Sequence, residues 1–225
     1  MKAMILAAGR GERMRPLTDT VPKPLLLVGG NYLISLIIFK LKQAGITDLV
    51  VNISHLAAQI EHALGDGATF GVHIRYSLER EALETAGGIA WALPLLDQQP
   101  FLVVNSDVYS HYDFAGLRER AQTLCARQPA HLVLVDNPDH HPQGDFALRD
   151  GVVATAGARL TFSGIAAYHP ALFAGIARGQ KSRLAAQLTQ PIADGRVSGE
   201  HFRGEWRDIG TPQRLAALDT RLRSN

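Results

Sequence analysis

The chain has 225 residues, 46% of them hydrophobic and 20% charged, which supplies a sizeable core and excludes a disordered chain. Lys plus Arg number 23 against 21 Asp plus Glu, a formal charge of +2 with no basic block, so nothing marks a nucleic-acid track. The single cysteine, Cys125, excludes an internal disulfide or thiolate zinc cluster and fits a reducing cytoplasm; the apolar run Met4–Ala8 is too short for a signal core or a membrane span.

From the N-terminus, short apolar runs alternate with helical periodicity. AMILAA (Ala3–Ala8), LVVNI (Leu49–Ile53), VHIRYS (Val72–Ser77), FLVVN (Phe101–Asn105) and HLVLV (His131–Val135) predict strands buried on both faces. Leu33, Leu36, Ile37, Leu41 and Ala44 recur at helical spacing, with Asn31 as the expected N-cap and Gly45 as the stop. Leu56, Ile60 and Leu64 repeat the pattern, and Gly87–Leu96 predicts a third helix interrupted near Pro94. This succession predicts an α/β fold: a mostly parallel sheet flanked by helices on both faces, with ligands beyond the carboxyl ends of the strands. Asp145–Ala156 then reads as two short strands around an Asp-Gly turn and Arg159–His169 as another, a small antiparallel insertion. Residues 181–195 and 211–224 read as helices, the latter with Thr211 as N-cap and Pro212 at its first position. With no linker, repeat or low-complexity tract, residues 1–225 are expected to form a single domain.

The first strand runs into GRGERMRPLTDTVPKPLL, a glycine-rich turn that three kinds of nucleotide-binding protein use. A dinucleotide fingerprint needs a third glycine where Met14 stands, and a P-loop needs Gly-Lys-Ser/Thr, which is missing. What remains is a loop whose N–H groups can approach phosphates because Gly9 and Gly11 lack side chains, with Arg13, Arg15 and Lys23 as cations around a triphosphate. Lys23 alone would read as a solvated lysine; between two prolines and after the glycine loop it reads as functional.

LAAGRGERMRPLTDTVPKPLLLV, followed in order by LVVNSDVY and GEWRDIGTPQRL, resembles the signature of the sugar-1-phosphate nucleotidylyltransferases. Within that family, ALGDGATFGVHIRYSLEREALETAGGI, VDNPDHHPQGDF, LTFSGIAAYHP and SGEHFRGEWRDIGT most resemble the branch that uridylylates an N-acetylmuramate 1-phosphate in the recycling of bacterial cell-wall sugars. The resemblance implies a Rossmann-like mixed sheet of the nucleotide-diphospho-sugar transferase type, with UTP and a sugar 1-phosphate as substrates. It also implies Mg²⁺, and no nucleic-acid, membrane or protein partner is evident. By the same resemblance Lys23, Arg13 and Asp107 are the catalytic set and Asp107 and Asp208 hold the metal. Ala8, Gly9, Gly11, Glu12, Arg13, Lys23, Glu84, Thr85 and Gly87 bind the nucleotide; Asn105, Gly144, Asp145, Thr161 and Ser163 contact the sugar. Glu12 is expected to point outward, since an inward acid would repel phosphate, and to offer only its N–H.

Plainer readings stand beside these. Asp107 is equally compatible with a cap, Asp208 with a turn before Gly210, Asn105 with a strand end, Thr161 and Ser163 with ordinary sheet hydrogen bonding, and Arg15 with a pair to Asp19. His55, His62, His140 and His141 read as loop or surface residues, Cys125 as helix packing, and Trp91 and Trp206 as core. Two alternative functions remain open: transfer to glucose 1-phosphate, mannose 1-phosphate or phosphocholine, and non-catalytic sensing of a nucleotide sugar.

Overall fold

The computed structural model describes residues 1–224. The expected strands form as β1 (Lys2–Leu6), β4 (Asp48–Ile53), β5 (His73–Leu78), β6 (Phe101–Asn105) and β8 (Ala130–Val135), with two short strands, β2 (Leu27–Val28) and β3 (Asn31–Tyr32), making a hairpin between the first two. Later come β7 (Val108–Ser110), β9 (Phe146–Arg149), β10 (Val152–Ala154), β11 (Arg159–Tyr168), β12 (Val197–His201) and β13 (Trp206–Asp208). Helices are α1 (Leu33–Gln43), α2 (Ala57–Leu64), α3 (Glu84–Leu96), α4 (Phe114–Ala121), α5 (Leu184–Ala193) and α6 (Pro212–Arg223).

Nine strands make one mixed sheet in the order β5-β4-β1-β6-β11-β8-β12-β10-β9. The first four are parallel; β11 then runs antiparallel to β6 and β8, while β12 is parallel to β8. The Asp-Gly hairpin β9–β10 continues the sheet at its far edge and returns to pair with the start of β11, so the antiparallel insertion extends the main sheet.

Apolar side chains alternate to both faces of the central strands, and each face has its own core. Ile5, Val51, Leu102 and Val104 meet Ile34, Ile38 and Leu41 of α1 and Leu117 of α4 on one side. Met4, Val50, Phe101 and Val103 meet Ile89, Ala92 and Leu96 of α3 and Leu188 and Ile192 of α5 on the other. A third, smaller core joins Met14, Leu26, Val28, Leu33, Ile209 and Leu218, tying the opening loop to α6.

Four local expectations are corrected. β5 alternates between buried and exposed residues because it is the sheet edge. The N-cap of α1 is Tyr32, since Asn31 pairs with Val28 in the short hairpin. Helix α3 runs through Pro94 to Leu96, giving up the one bond that an N–H at position 94 would make to the Ala90 carbonyl. Cys125 is exposed and lies in a turn after α4, bridged to Gln128, so it packs in no helix. No helix among the described residues is long and apolar enough to cross a membrane.

Candidate active site

Register places the site. Leu6 at the end of β1 is opposite Asn52 of β4 on one side and Asn105 of β6 on the other, so three parallel strands end at one level and their following loops converge there. The glycine loop leaves β1, and Gly11 takes a left-handed backbone (φ 68) before the single turn Glu12–Met14. A Cβ on Gly11 would lie 3.1 Å from Thr18 Cγ2 and 3.2 Å from Lys23 Cβ, whereas one on Gly9 would meet nothing within 4 Å. Glycine is therefore structural at Gly11 and leaves open space at Gly9. Thr18 Oγ1 donates to Gly11 O at 2.8 Å, and the fully buried Met14 anchors the turn in the third core. That anchor is the physical reason a methionine stands where a dinucleotide fold has glycine.

Lys23 opens the turn Lys23–Leu25, held between Pro22 and Pro24, and its Nζ donates to Asp107 Oδ2. The second carboxylate arrives from the C-terminal part of the chain. β13 pairs with β7, setting Asp208 opposite Val108, and Ile209 N donates to Asp107 O at 2.8 Å. Arg214 Nη1 lies 2.6 Å from both oxygens of Asp208 and His140 Nε2 lies 3.0 Å from one. Thr211 caps α6 through its hydroxyl, which accepts from Arg214 N at 3.3 Å, and this fixes where Arg214 leaves the helix.

Two cavities meet here. One, of about 420 Å³, is lined by the glycine loop, Lys23, Asn52, Glu79, Glu84 and Thr85; the other, of about 330 Å³, by His140, His141, Asp145, Thr161, Ser163, Trp206 and Asp208. Arg13, Asn105 and Asp107 line both and stand at their boundary. Arg13 has no carboxylate partner among the described residues, and its Nη2 would lie 3.1 Å from a Cβ on Gly210.

Most of the expected residues converge. Ala8, Gly9, Gly11, Glu12, Arg13, Lys23, Glu84 and Thr85 line the first cavity, with Glu12 exposed at its rim. Gly87 lines neither cavity: a Cβ there would lie 2.5 Å from Gln180 O, so this glycine lets α3 pack on the 180–182 segment. The same segment takes up the helix N-terminus, since Ala86 N and Gly87 N both donate to Ser182 O, and those two N–H groups do not face a ligand. Glu84 has φ 63, a left-handed backbone that side chains rarely adopt and that holds the rim of the cavity in a fixed turn.

On the sugar side, Gly144 is set back from the cavity lining: its turn (φ 58) packs a would-be Cβ 2.7 Å from Asn137 Oδ1. The Thr161 hydroxyl donates to Asn137 Oδ1, in the loop after β8, at 2.9 Å and the Ser163 hydroxyl to Val133 O of β8 at 2.7 Å, so both are engaged within the protein. Asp145 accepts from Phe162 N at 2.8 Å with one oxygen and lies 3.1 Å from His141 Nε2 with the other. Trp206 Nε1 donates to Ser163 O at 2.9 Å and forms part of the wall. Arg15 pairs with Asp19 at 2.7 Å, away from both cavities.

Sequence reasoning missed Asn52, Glu79, Ser106, His140, His141 and Arg214. An amide next to the last residue of the apolar strand LVVNI was a visible signal for Asn52; a glutamate after an edge strand or a histidine in a loop carries none. Asp107 and Asp208 are hard oxygen donors on one cavity, and among the described residues no group of three His, Cys, Asp or Glu forms a metal-sized cluster. Both carboxylates already face cations, Asp107 the ammonium of Lys23 and Asp208 the guanidinium of Arg214, so an ion such as Mg²⁺, which takes few protein carboxylates and completes its shell with water and phosphate oxygens, would share them with those side chains.

The glycine loop, Arg13 and the carboxylate-paired Lys23 converge at the carboxyl ends of parallel strands, where α/β sheets bind nucleotides and other phosphate ligands. Residues 2–148 match the family described as Nucleotidyl transferase, and the chain belongs to that family. It is 54% identical over 220 residues to the N-acetylmuramate alpha-1-phosphate uridylyltransferase of Neisseria meningitidis serogroup B, covering 96% of this chain and 95% of that protein. It is 36% identical to the protein of the same name from Caulobacter vibrioides, covering 98% and 96%. A mannose-1-phosphate guanyltransferase of Neurospora crassa is 31% identical, but this chain spans only 62% of its length. A solved structure assigned as a glucose-1-phosphate thymidylyltransferase from Bacillus anthracis superposes with a TM-score of 0.87 over 100% of this chain and 96% of that one, at 22% identity, a likeness of fold.

Proposed function

We propose that the chain transfers UMP from UTP to N-acetylmuramate α-1-phosphate, giving UDP-N-acetylmuramate and pyrophosphate. The observation that carries the chemistry is the boundary between the two cavities, where Arg13, Asn105 and Asp107 are shared and Lys23 is held. The 54% likeness across nearly the whole length of both chains carries the choice of substrates.

A phosphate oxygen of the sugar phosphate attacks the α-phosphorus of UTP, and the bond from that phosphorus to the bridging oxygen breaks, its electron pair leaving with pyrophosphate. No enzyme nucleophile is required, so catalysis is positioning and charge neutralisation. Lys23 brings a fixed cation to the α-phosphate as charge builds, and Arg13 meets the departing pyrophosphate. The open space over Gly9 admits the phosphates against backbone N–H groups, and Glu84 and Thr85 border the base. Asp107 and Asp208 are the residues that would hold Mg²⁺, which would supply charge neutralisation at the phosphate oxygens. The reading extends to a single nucleotidyltransferase domain working in the cytoplasm in the recycling of cell-wall sugars.

The test is pyrophosphate release with a panel of nucleoside triphosphates and sugar phosphates. Turnover with UTP and N-acetylmuramate α-1-phosphate, lost in Asp107→Ala, supports the assignment. Turnover confined to another pair moves the protein to a different substrate, and silence across the panel with retained binding makes it a sensor.

A further inference from the structure

Beneath the larger cavity lies a polar chain that the transfer chemistry does not use. Ala7 N donates to Asn52 Oδ1 at 2.8 Å, Asn52 Nδ2 donates to Glu79 Oε1 at 2.6 Å, and Leu83 N donates to Glu79 Oε2 at 2.9 Å. Asn52 is 4% and Glu79 3% exposed. The chain crosses the ends of β1, β4 and β5 and reaches the residue that precedes α3, so it links the root of the glycine loop to the turn at Leu83–Glu84. Space for it is reserved in α3: a Cβ on Gly88 would lie 2.5 Å from Glu79 Oε1 and 3.1 Å from Asn52 Nδ2.

We propose that Asn52 and Glu79 are a positioning pair that fixes the spacing between the phosphate-binding loop and the turn bordering the base. The function of the pair resides in its hydrogen-bond polarity. Two backbone N–H donors, at Ala7 and Leu83, point inward from the ends, so the two side chains between them must present an acceptor at each end and a matched donor and acceptor in the middle. One amide and one carboxylate satisfy this; two amides leave one donor facing another donor, and two carboxylates set acceptor against acceptor until the pair takes up a proton, which costs free energy at neutral pH. A mismatch here costs more than the lost bond because both groups, though they edge the cavity, are almost wholly buried.

The same logic shows that the order of the two groups can be exchanged. In the double variant N52D/E79Q, the carboxylate placed at position 52 accepts from Ala7 N and from the side-chain amide placed at position 79, whose carbonyl accepts from Leu83 N. Every contact is rebuilt with the charge moved to the other position. N52D and E79Q alone each contain one mismatch.

This inference rests on reading the larger cavity as the nucleotide site, and the experiment separates the two. Amide hydrogen exchange at Ala7 and Leu83 is measured in the ligand-free protein, then steady-state kinetics with UTP and the sugar phosphate. Each single variant is expected to exchange faster at those amides and to raise KM for UTP about tenfold or more, with KM for the sugar phosphate unchanged and the double variant within about threefold of the natural chain. A role in stability alone would lower the melting temperature and the amount of active protein without moving one KM against the other. Unchanged protection in the single variants, or a double variant no better than either, overturns the pair. Gly88→Ala provides a check that keeps both side chains chemically intact but crowds them, since its Cβ would lie 2.5 Å from Glu79 Oε1: it is expected to raise KM for UTP in the same way, and normal UTP kinetics there counts against the proposal. If the natural chain does not use UTP, the functional reading fails, and the exchange data judge the pair by themselves.

Discussion

Lys23 Nζ donates to Asp107 Oδ2 across 84 residues of sequence, joining the loop after β1 to the loop after β6. The side chains are 12% and 24% exposed. The contact aims an otherwise flexible ammonium group at the boundary of the two cavities before any substrate arrives. Lys23→Ala is expected to lower kcat by about 10²–10³, or ~2.7–4 kcal/mol, as loss of other preorganised donors does. Single-turnover rates with saturating UTP measure it, and an effect confined to KM would remove Lys23 from the transition state.

Asp208 is held by one nitrogen of Arg214 and by His140. If Asp107 and Asp208 together hold Mg²⁺, chelation with EDTA abolishes turnover and added Mg²⁺ restores it. Asp208→Asn is then expected to raise the Mg²⁺ needed for half-maximal rate by about tenfold or more. A titration of rate against free Mg²⁺ reads this directly, and an unchanged midpoint would place the metal elsewhere.

The two glycines of the opening loop predict opposite phenotypes. Gly11 has a left-handed backbone and its missing Cβ faces Thr18 and Lys23, so Gly11→Ala is expected to cost about 1–2 kcal/mol of stability. Gly9 faces open space; Gly9→Ala should leave the denaturant midpoint unchanged and weaken UTP binding, because the methyl group occupies the volume the phosphates need. Chemical denaturation beside calorimetry separates the two.

Away from the cleft, Glu200 of β12 accepts a hydrogen bond from Tyr112 Oη and lies 3.6 Å from Nε2 of the buried His131. His131 beside it, helped by the Tyr112 hydroxyl, holds its carboxyl below the usual value of 4.5, while burial pushes the Tyr112 phenol up. The depressed carboxyl binds fewer protons in the native than in the unfolded state. Its stabilisation is therefore complete above the ordinary carboxylate range and is lost as pH falls through the native value. Glu200→Gln should lower the melting temperature at pH 7 by roughly 2–4 °C, and the gap to the natural chain should close on acidification. Parallel melting curves between about pH 7 and pH 3 would contradict this.

The sequence by itself determined the strands, because apolar runs such as FLVVN and HLVLV have no stable place except the middle of a sheet, and it determined the opening loop, because a glycine that needs a left-handed backbone and a lysine between prolines are local facts. It also determined the cap of α6, where Thr211 and Pro212 act within one turn. The tertiary structure decided what depends on groups far apart in the chain. Asn31 lost its expected cap to a two-residue hairpin, and Cys125 its expected packing to an exposed turn. Gly87 and Gly144 were spent on close packing, a contact invisible without the neighbouring backbone. His140 and Arg214 joined Asp208, and Asn52 joined Glu79, only because strand register brought those loops to one level; burial and hydrogen-bond pairing are properties of the assembled sheet, and no local pattern of residue types encodes them.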